Sequence, residues 1–183
     1  ENVMDADWSP DGTALAVTHQ VGNRGRVEYP IGKVLYDNAG WVSDVRVSPD
    51  GHLVAFVDHP QQGDNNGTVK VVDTSGKVRL NGPFTLARIA WTPRGDEVWS
   101  SDRAGITATT LSGKSRRAWL SPNGGIADIA RDGRALVLTN SSRREIVGFR
   151  KGDATERNPT WLHWPFPPHI SANCPTRPLD EQT

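Results

Sequence analysis

Four carboxylates, a histidine, an arginine and an amide stand at one fixed distance from four glycines. Seven residues before Gly12, Gly51, Gly95 and Gly133 come Asp5, Asp44, Arg88 and Ile126; seven after them come His19, Asp58, Asp102 and Asn140. His59 and Asp64 lie near this set in the chain. Carboxylate oxygens beside an imidazole form a ligand set for a divalent metal, and Asp44, Asp58 and His19 are the members that suit it. A metal held there would polarise an ester or activate water. The plainer reading is that Asp, Asn and His at strand ends satisfy loop N–H groups, and that a repeat sets such devices at equal offsets. That structural reading leads, with ligand binding second. A Ser/His/Asp triad draws its members from distant positions, and no serine stands out.

The glycines themselves belong to a recurring turn. Ser9-Pro10-Asp11-Gly12 returns as Ser48-Pro49-Asp50-Gly51, and in altered form as Thr92-Pro93-Arg94-Gly95 and Ala130-Arg131-Asp132-Gly133. The spacings are 39, 44 and 38 residues, a period that marks a repeat architecture. Proline presets φ at the second turn position, and glycine accepts the positive φ that closes a hairpin. Four residues before the glycine come Trp8, Val47, Trp91 and Ile129, and six before come Ala6, Val45, Ile89 and Ala127. That is a period-2 apolar face on the incoming strand. Leu15, Val54, Val98 and Leu136 open the returning strand.

Two more strand-like runs follow the hairpin. They are 68–72 and 77–80 in the second repeat, and 106–110 and 116–120 in the third. No segment carries a sustained 3.6-residue period, so almost no helix is expected. Four short strands in each repeat of about forty residues predict an all-β fold of β-propeller blades. The blades fall at about 1–40, 41–82, 83–122 and 123–164, with a fragment at 165–173. The antiparallel hairpin brings the polar residues seven before and seven after each glycine to the blade edge away from the turn. In a propeller that edge lies at one mouth of the central channel.

At this point the residues meet a known pattern. Trp8-Ser9-Pro10-Asp11-Gly12 followed by Leu15-Ala16 resembles the WD40-like propeller repeat of bacterial TolB and its relatives. Residues 42–73 and 144–149 are similar to propeller regions attached to some bacterial serine/threonine protein kinases. The resemblance covers about residues 1–173 and implies a propeller module that binds or senses a protein. No kinase signature accompanies it, so any kinase domain would lie outside this chain.

The ends depart from a complete ring. The first turn comes after only eight residues, too few for a preceding outer strand. A fifth hairpin begins at 169–173, but Cys174 occupies the place of the turn glycine, and 174–183 has neither alternation nor strand propensity. We read this as a propeller cut short, an incomplete ring of about four blades plus a broken fifth; a natural loop-like terminus, or a ring closed by four blades and the fragment, is the alternative. Open blade faces would expose contiguous apolar area, so self-association into a homo-oligomer is expected. Trp161, Trp164 and Phe166 are the interface candidates, with packing between blades as the leading role for these aromatics.

Composition narrows the function classes. Lys+Arg and Asp+Glu balance at 21 each, which favours neither a nucleic-acid nor an anionic-membrane partner. No apolar run approaches the ~20 residues that span a bilayer, so no membrane insertion is expected. No signal peptide is visible, and the compartment stays open. The single cysteine excludes an internal disulfide. Gly113-Lys114-Ser115 ends like a phosphate loop, yet Ala108 stands where that motif needs its first glycine. Two readings remain. The first is a non-catalytic propeller module for interaction or sensing; the second is an ester or phosphoester hydrolase, with or without a divalent metal, at the channel mouth.

Overall fold

A computed structural model describes residues 2–120 and 124–140. Within them the chain is all β, in antiparallel sheets set side by side. The first sheet runs β1 (Asn2–Trp8), β2 (Leu15–Val21), β3 (Arg24–Glu28) and β4 (Val34–Asn38). The second is β5 (Trp41–Val47), β6 (Leu53–His59), β7 (Gly67–Asp73) and β8 (Val78–Thr85). The third is β9 (Ala87–Trp91), β10 (Glu97–Asp102), β11 (Gly105–Thr110) and β12 (Ser115–Leu120). β13 (Gly124–Ile129) pairs with β14 (Ala135–Thr139) to begin a fourth. No helix occurs among the described residues, as the missing 3.6-residue period requires. The sheets are propeller blades, and among the described residues they do not close into a ring.

The recurring turn does more than bend the chain. Gly12, Gly51, Gly95 and Gly133 have φ of 70°, 76°, 68° and 88°, the left-handed region that glycine enters without a steric penalty. Each glycine N–H donates to the carbonyl of the first turn residue, at 2.8 to 2.9 Å. The serines add a second lock. Ser9 Oγ donates to Asp11 Oδ1 at 2.6 Å and accepts from the N–H of Ala14 at 2.9 Å. Ser48 repeats this with Asp50 at 2.5 Å and Leu53 at 2.9 Å. Thr92 does the same work with Asp96 and Glu97. The Ser9 hydroxyl, with the Thr13 N–H and hydroxyl, holds the Asp11 carboxyl down to about 2.

The core sits between blades. Val54 and Phe56 pack with Val45, Val47, Ala16 and Val27 against the first sheet. The alternate residues Ala55 and Val57 pack with Val69, Val71, Ile89, Trp91 and Val98 against the third. β6 is therefore buried at four consecutive positions, 54–57, because both faces of its sheet are covered. Ala90, Ile106 and Ile126 fill the next layer. Thus the apolar face of each inner strand points at the preceding blade. Among the described residues no blade precedes the first, and there Trp8 is 62% exposed.

Candidate functional site

The inner strands β1, β5, β9 and β13 are all bulged near the blade edge away from the turns. Register slips between Val3 and Asp5, Ser43 and Arg46, Ser100 and Ser101 opposite β9, and Ile126 and Asp128. A bulge turns the strand and re-aims a side chain. Asp44 and Arg88 consequently stand at φ 54° and 59°, a left-handed conformation uncommon outside glycine. In β13 the slip puts Ile126 in the core, so the fourth copy offers no polar group at that offset.

The carboxylates of β1 hold its neighbour in place. Asp5 Oδ2 accepts from the Val45 N–H at 3.0 Å, and Asp7 Oδ2 from the Val47 N–H at 2.7 Å. Side chains of one blade thereby satisfy the unpaired edge of the next blade's inner strand. Burial pushes the Asp7 carboxyl up, against the opposing pull of that Val47 N–H and of Arg46. Ser101 Oγ repeats the device by accepting from the Ile126 N–H at 2.9 Å, and Trp91 Nε1 donates to the Arg46 carbonyl at 3.1 Å.

Other predicted residues are also committed. Asp58 accepts from Tyr36 Oη at 2.9 Å and from Asn38 Nδ2, with Lys70 Nζ at 3.5 Å. Burial, and then this carboxylate, raise the Tyr36 hydroxyl far above its usual range. Asp102 accepts from Arg117 Nη1 on both oxygens, at 2.9 and 2.8 Å, and from the Ala104 and Gly105 N–H groups. Burial works to raise its carboxyl, but the Ala104 N–H and Arg117 together hold it below the usual range. His19 is buried with Nε2 3.9 Å from Glu28 Oε2 and without a hydrogen bond. Among the described residues no three His, Cys, Asp or Glu side chains gather to hold a metal ion.

His59 has the spacing of a general base. Ser43 Oγ lies 2.9 Å from its Nε2, and its Nδ1 lies 3.1 Å from the Asn66 carbonyl. A carbonyl only accepts, so Nδ1 carries the proton and Nε2 of the neutral ring accepts from Ser43. Ser43 Oγ also lies 2.7 Å from Asp44 Oδ2, so two acceptors compete for one hydroxyl hydrogen. The ring is 1% exposed and stacked on Trp41 at 3.8 Å. Burial holds His59 below its ordinary value. These contacts latch the Gly40–Asn66 corner together: Trp41 Nε1 donates to the Asp64 carbonyl at 3.2 Å, and Asp64 accepts from the Asn66 N–H at 2.9 Å.

Two clefts open at opposite ends of the inner strands. The larger, about 970 Å³, has the turn residues Pro10, Pro49 and Pro93 at its rim. Trp8, Trp91, Asp7, Asp128, Arg46 and Arg131 also line it, as does Asp5. The smaller, about 390 Å³, lies at the far end and includes Arg88, Asp102 and Asn140. The predicted polar ring is therefore divided. Three of its members meet at the far mouth, Asp5 faces the other cleft, and Asp44, Asp58, His19 and His59 line neither. Asp7, Asp128 and Arg46 were missed, although an offset of five before the glycine would have found them; in the third copy that offset falls on Ala90, which is buried in the core. Trp161, Trp164, Phe166 and Cys174 lie outside the described residues.

Comparison with solved structures agrees on the fold. TolB from Acinetobacter baumannii superposes with a TM-score of 0.57 at 19% identity, over 80% of this chain and 40% of that one. A prolyl endopeptidase gives 0.53 at 19% identity, over 85% of this chain and 29% of that one. An uncharacterised protein of Listeria monocytogenes gives 0.51 at 11% identity, over 78% and 46%. The chain thus spans less than half the length of each. No family model matches it, and no curated protein does.

Proposed function

We propose that this TolB-like propeller is a non-catalytic module that recognises a protein partner at the turn-end cleft. The observation that carries this reading is the pairing of committed carboxylates with an open aromatic rim. Asp5 and Asp7 spend their acceptors on backbone N–H groups, Asp58 on the Tyr36 hydroxyl and the Asn38 amide, and Asp102 on Arg117 and backbone N–H groups. Trp8 meanwhile stands exposed beside Trp91 and three prolines in a concave, mixed-charge surface. Aromatic anchors with a polar rim suit protein recognition. The setting is a longer propeller of the kinase-attached kind, which the sequence resemblance supports. Self-association through open faces belongs to the same proposal. Val3 and Met4 on β1 and Leu136 and Leu138 on β14 are exposed apolar side chains that would be covered by it.

The competing reading, a hydrolase, draws support from the Ser43–His59 spacing alone. The discriminating experiment uses the full chain. Chromogenic esters and phosphoesters are incubated with it before and after chelation, while peptides from a displayed library are selected on it. The expected result is selected binders and turnover at the blank rate. Chelator-sensitive turnover lost in Asp44→Ala or Asp58→Ala would establish metal-dependent hydrolysis instead. Turnover lost in His59→Ala and untouched by chelation would point to Ser43 as nucleophile.

A further inference from the structure

We propose that the far-mouth cleft is an oxyanion site in which Arg88 and Arg103 grip a carboxylate or phosphate group. This site is separate from the turn-end cleft, so either reading can fail without the other. The cleft is lined by Arg88, Ser101, Asp102, Arg103, Gly125 and Asn140 among others. Neither Arg88 nor Arg103 has an ion-pair or hydrogen-bond partner among the described residues, whereas Arg24, Arg26, Arg116 and Arg117 each hold a carboxylate. Two guanidinium groups thus line one small concavity, and no carboxylate among the described residues pairs with either.

Asp102 does not cancel them. Both of its oxygens are within 2.9 Å of Arg117 Nη1, and two backbone N–H groups point at it. Its charge is already met by these partners.

The backbone also favours a ligand here. Arg88 sits at φ 59° on the β9 bulge, and a left-handed arginine persists only where its surroundings impose it. The equivalent bulged residue, Asp44, uses the same conformation to bond Ser43; Arg88 has no such bond among the described residues. Gly125 brings the backbone of β13 to the floor of the cleft, beside Ser101 and the Arg88 side chain. The Asn140 amide at the rim adds neutral donors. A planar guanidinium pairs two N–H groups with two oxygens of a carboxylate or phosphate, which matches donor geometry to this ligand class.

Calorimetric titration of the full chain tests the site, with inorganic phosphate and with an N-acetylated tripeptide bearing a free C-terminal carboxylate as probes. The same tripeptide as its amide, and chloride at matched ionic strength, are the controls. At least one anion should bind in the millimolar range or tighter, and the amide should not. Binding of phosphate alone assigns the site to phosphorylated ligands, and binding of the tripeptide alone assigns it to chain termini. Arg88→Asn, which tolerates a left-handed backbone, and Arg103→Ala, in an exposed loop, should each weaken binding about tenfold. Arg134→Ala, at the turn end, should leave it unchanged. Absence of binding by both anions, or wild-type affinity in both cleft variants, would overturn the proposal.

Discussion

At the residue scale, His59 best separates structure from chemistry. Its spacing from Ser43 invites a catalytic reading, but its ring is sealed against Trp41 and its proton is fixed by the Asn66 carbonyl. Burial lowers its folded-state value below the ordinary 6.5. The unfolded chain therefore takes up the proton first as pH falls. Stability contributed by the neutral ring is full above 6.5 and is lost as pH drops from there toward the folded-state value. Urea midpoints measured between neutral pH and about pH 5.5 should decline in the wild type. In His59→Gln the midpoint should be lower at neutral pH and nearly flat over that window. The turn carboxylates do not interfere: Asp11 acts only as pH falls from 3.8 toward about 2. An unchanged slope in the variant would remove His59 from the latch. The sequence placed His59 near the polar set; an offset of eight on either side of Gly51 would have paired it with Ser43 across the hairpin, whereas Asn66 comes from a loop that no such offset reaches.

At the scale of the element, the hairpin turn was the most legible part of the chain. Proline, aspartate and glycine each carry a local conformational preference that tertiary packing has no reason to override. What composition alone did not disclose is the hydroxyl of the first position, which ties the turn to the returning strand. Ser48 is 1% exposed, so Ser48→Ala leaves the Leu53 N–H without its side-chain acceptor and should cost ~1–2 kcal/mol. Gly51→Ala meets only ordinary contacts, at 3.6 Å from Pro10 Cδ and 3.7 Å from Tyr29 Oη. Its φ of 76° should still cost ~1–2 kcal/mol in backbone strain. Both losses are read from the urea midpoint at unchanged slope. The bulges were illegible, because a one-residue slip in pairing leaves no mark on the amino-acid pattern. They are why Ile126 enters the core while Arg88 faces a cleft.

At the scale of the whole molecule, blades are held by two kinds of contact. Apolar layers between sheets supply the bulk, and Asp5, Asp7 and Ser101 bond the exposed edge of the next inner strand. The offset rule identified Asp5 as polar and inward. It did not say that the carboxylate would be spent on a neighbouring backbone, since that depends on how blades sit side by side. Trp8 follows from the same geometry: it occupies the position that elsewhere packs on a preceding blade. If the open faces associate, sedimentation equilibrium of the full chain should give a multiple of 20.0 kDa, and replacing Met4 and Leu136 by charged residues should return it to that mass. A monomer at high concentration would exclude self-association.

The proposed recognition at the turn-end cleft rests on Trp8 more than on any other side chain. The most direct measurement is the dissociation constant of a library-selected peptide for the full chain and for Trp8→Ala. Loss of an exposed aromatic anchor should weaken binding at least about tenfold, while the thermal midpoint barely changes because this side chain packs on no core. Equal affinity in the two proteins, across independently selected peptides, would contradict a binding surface at this mouth.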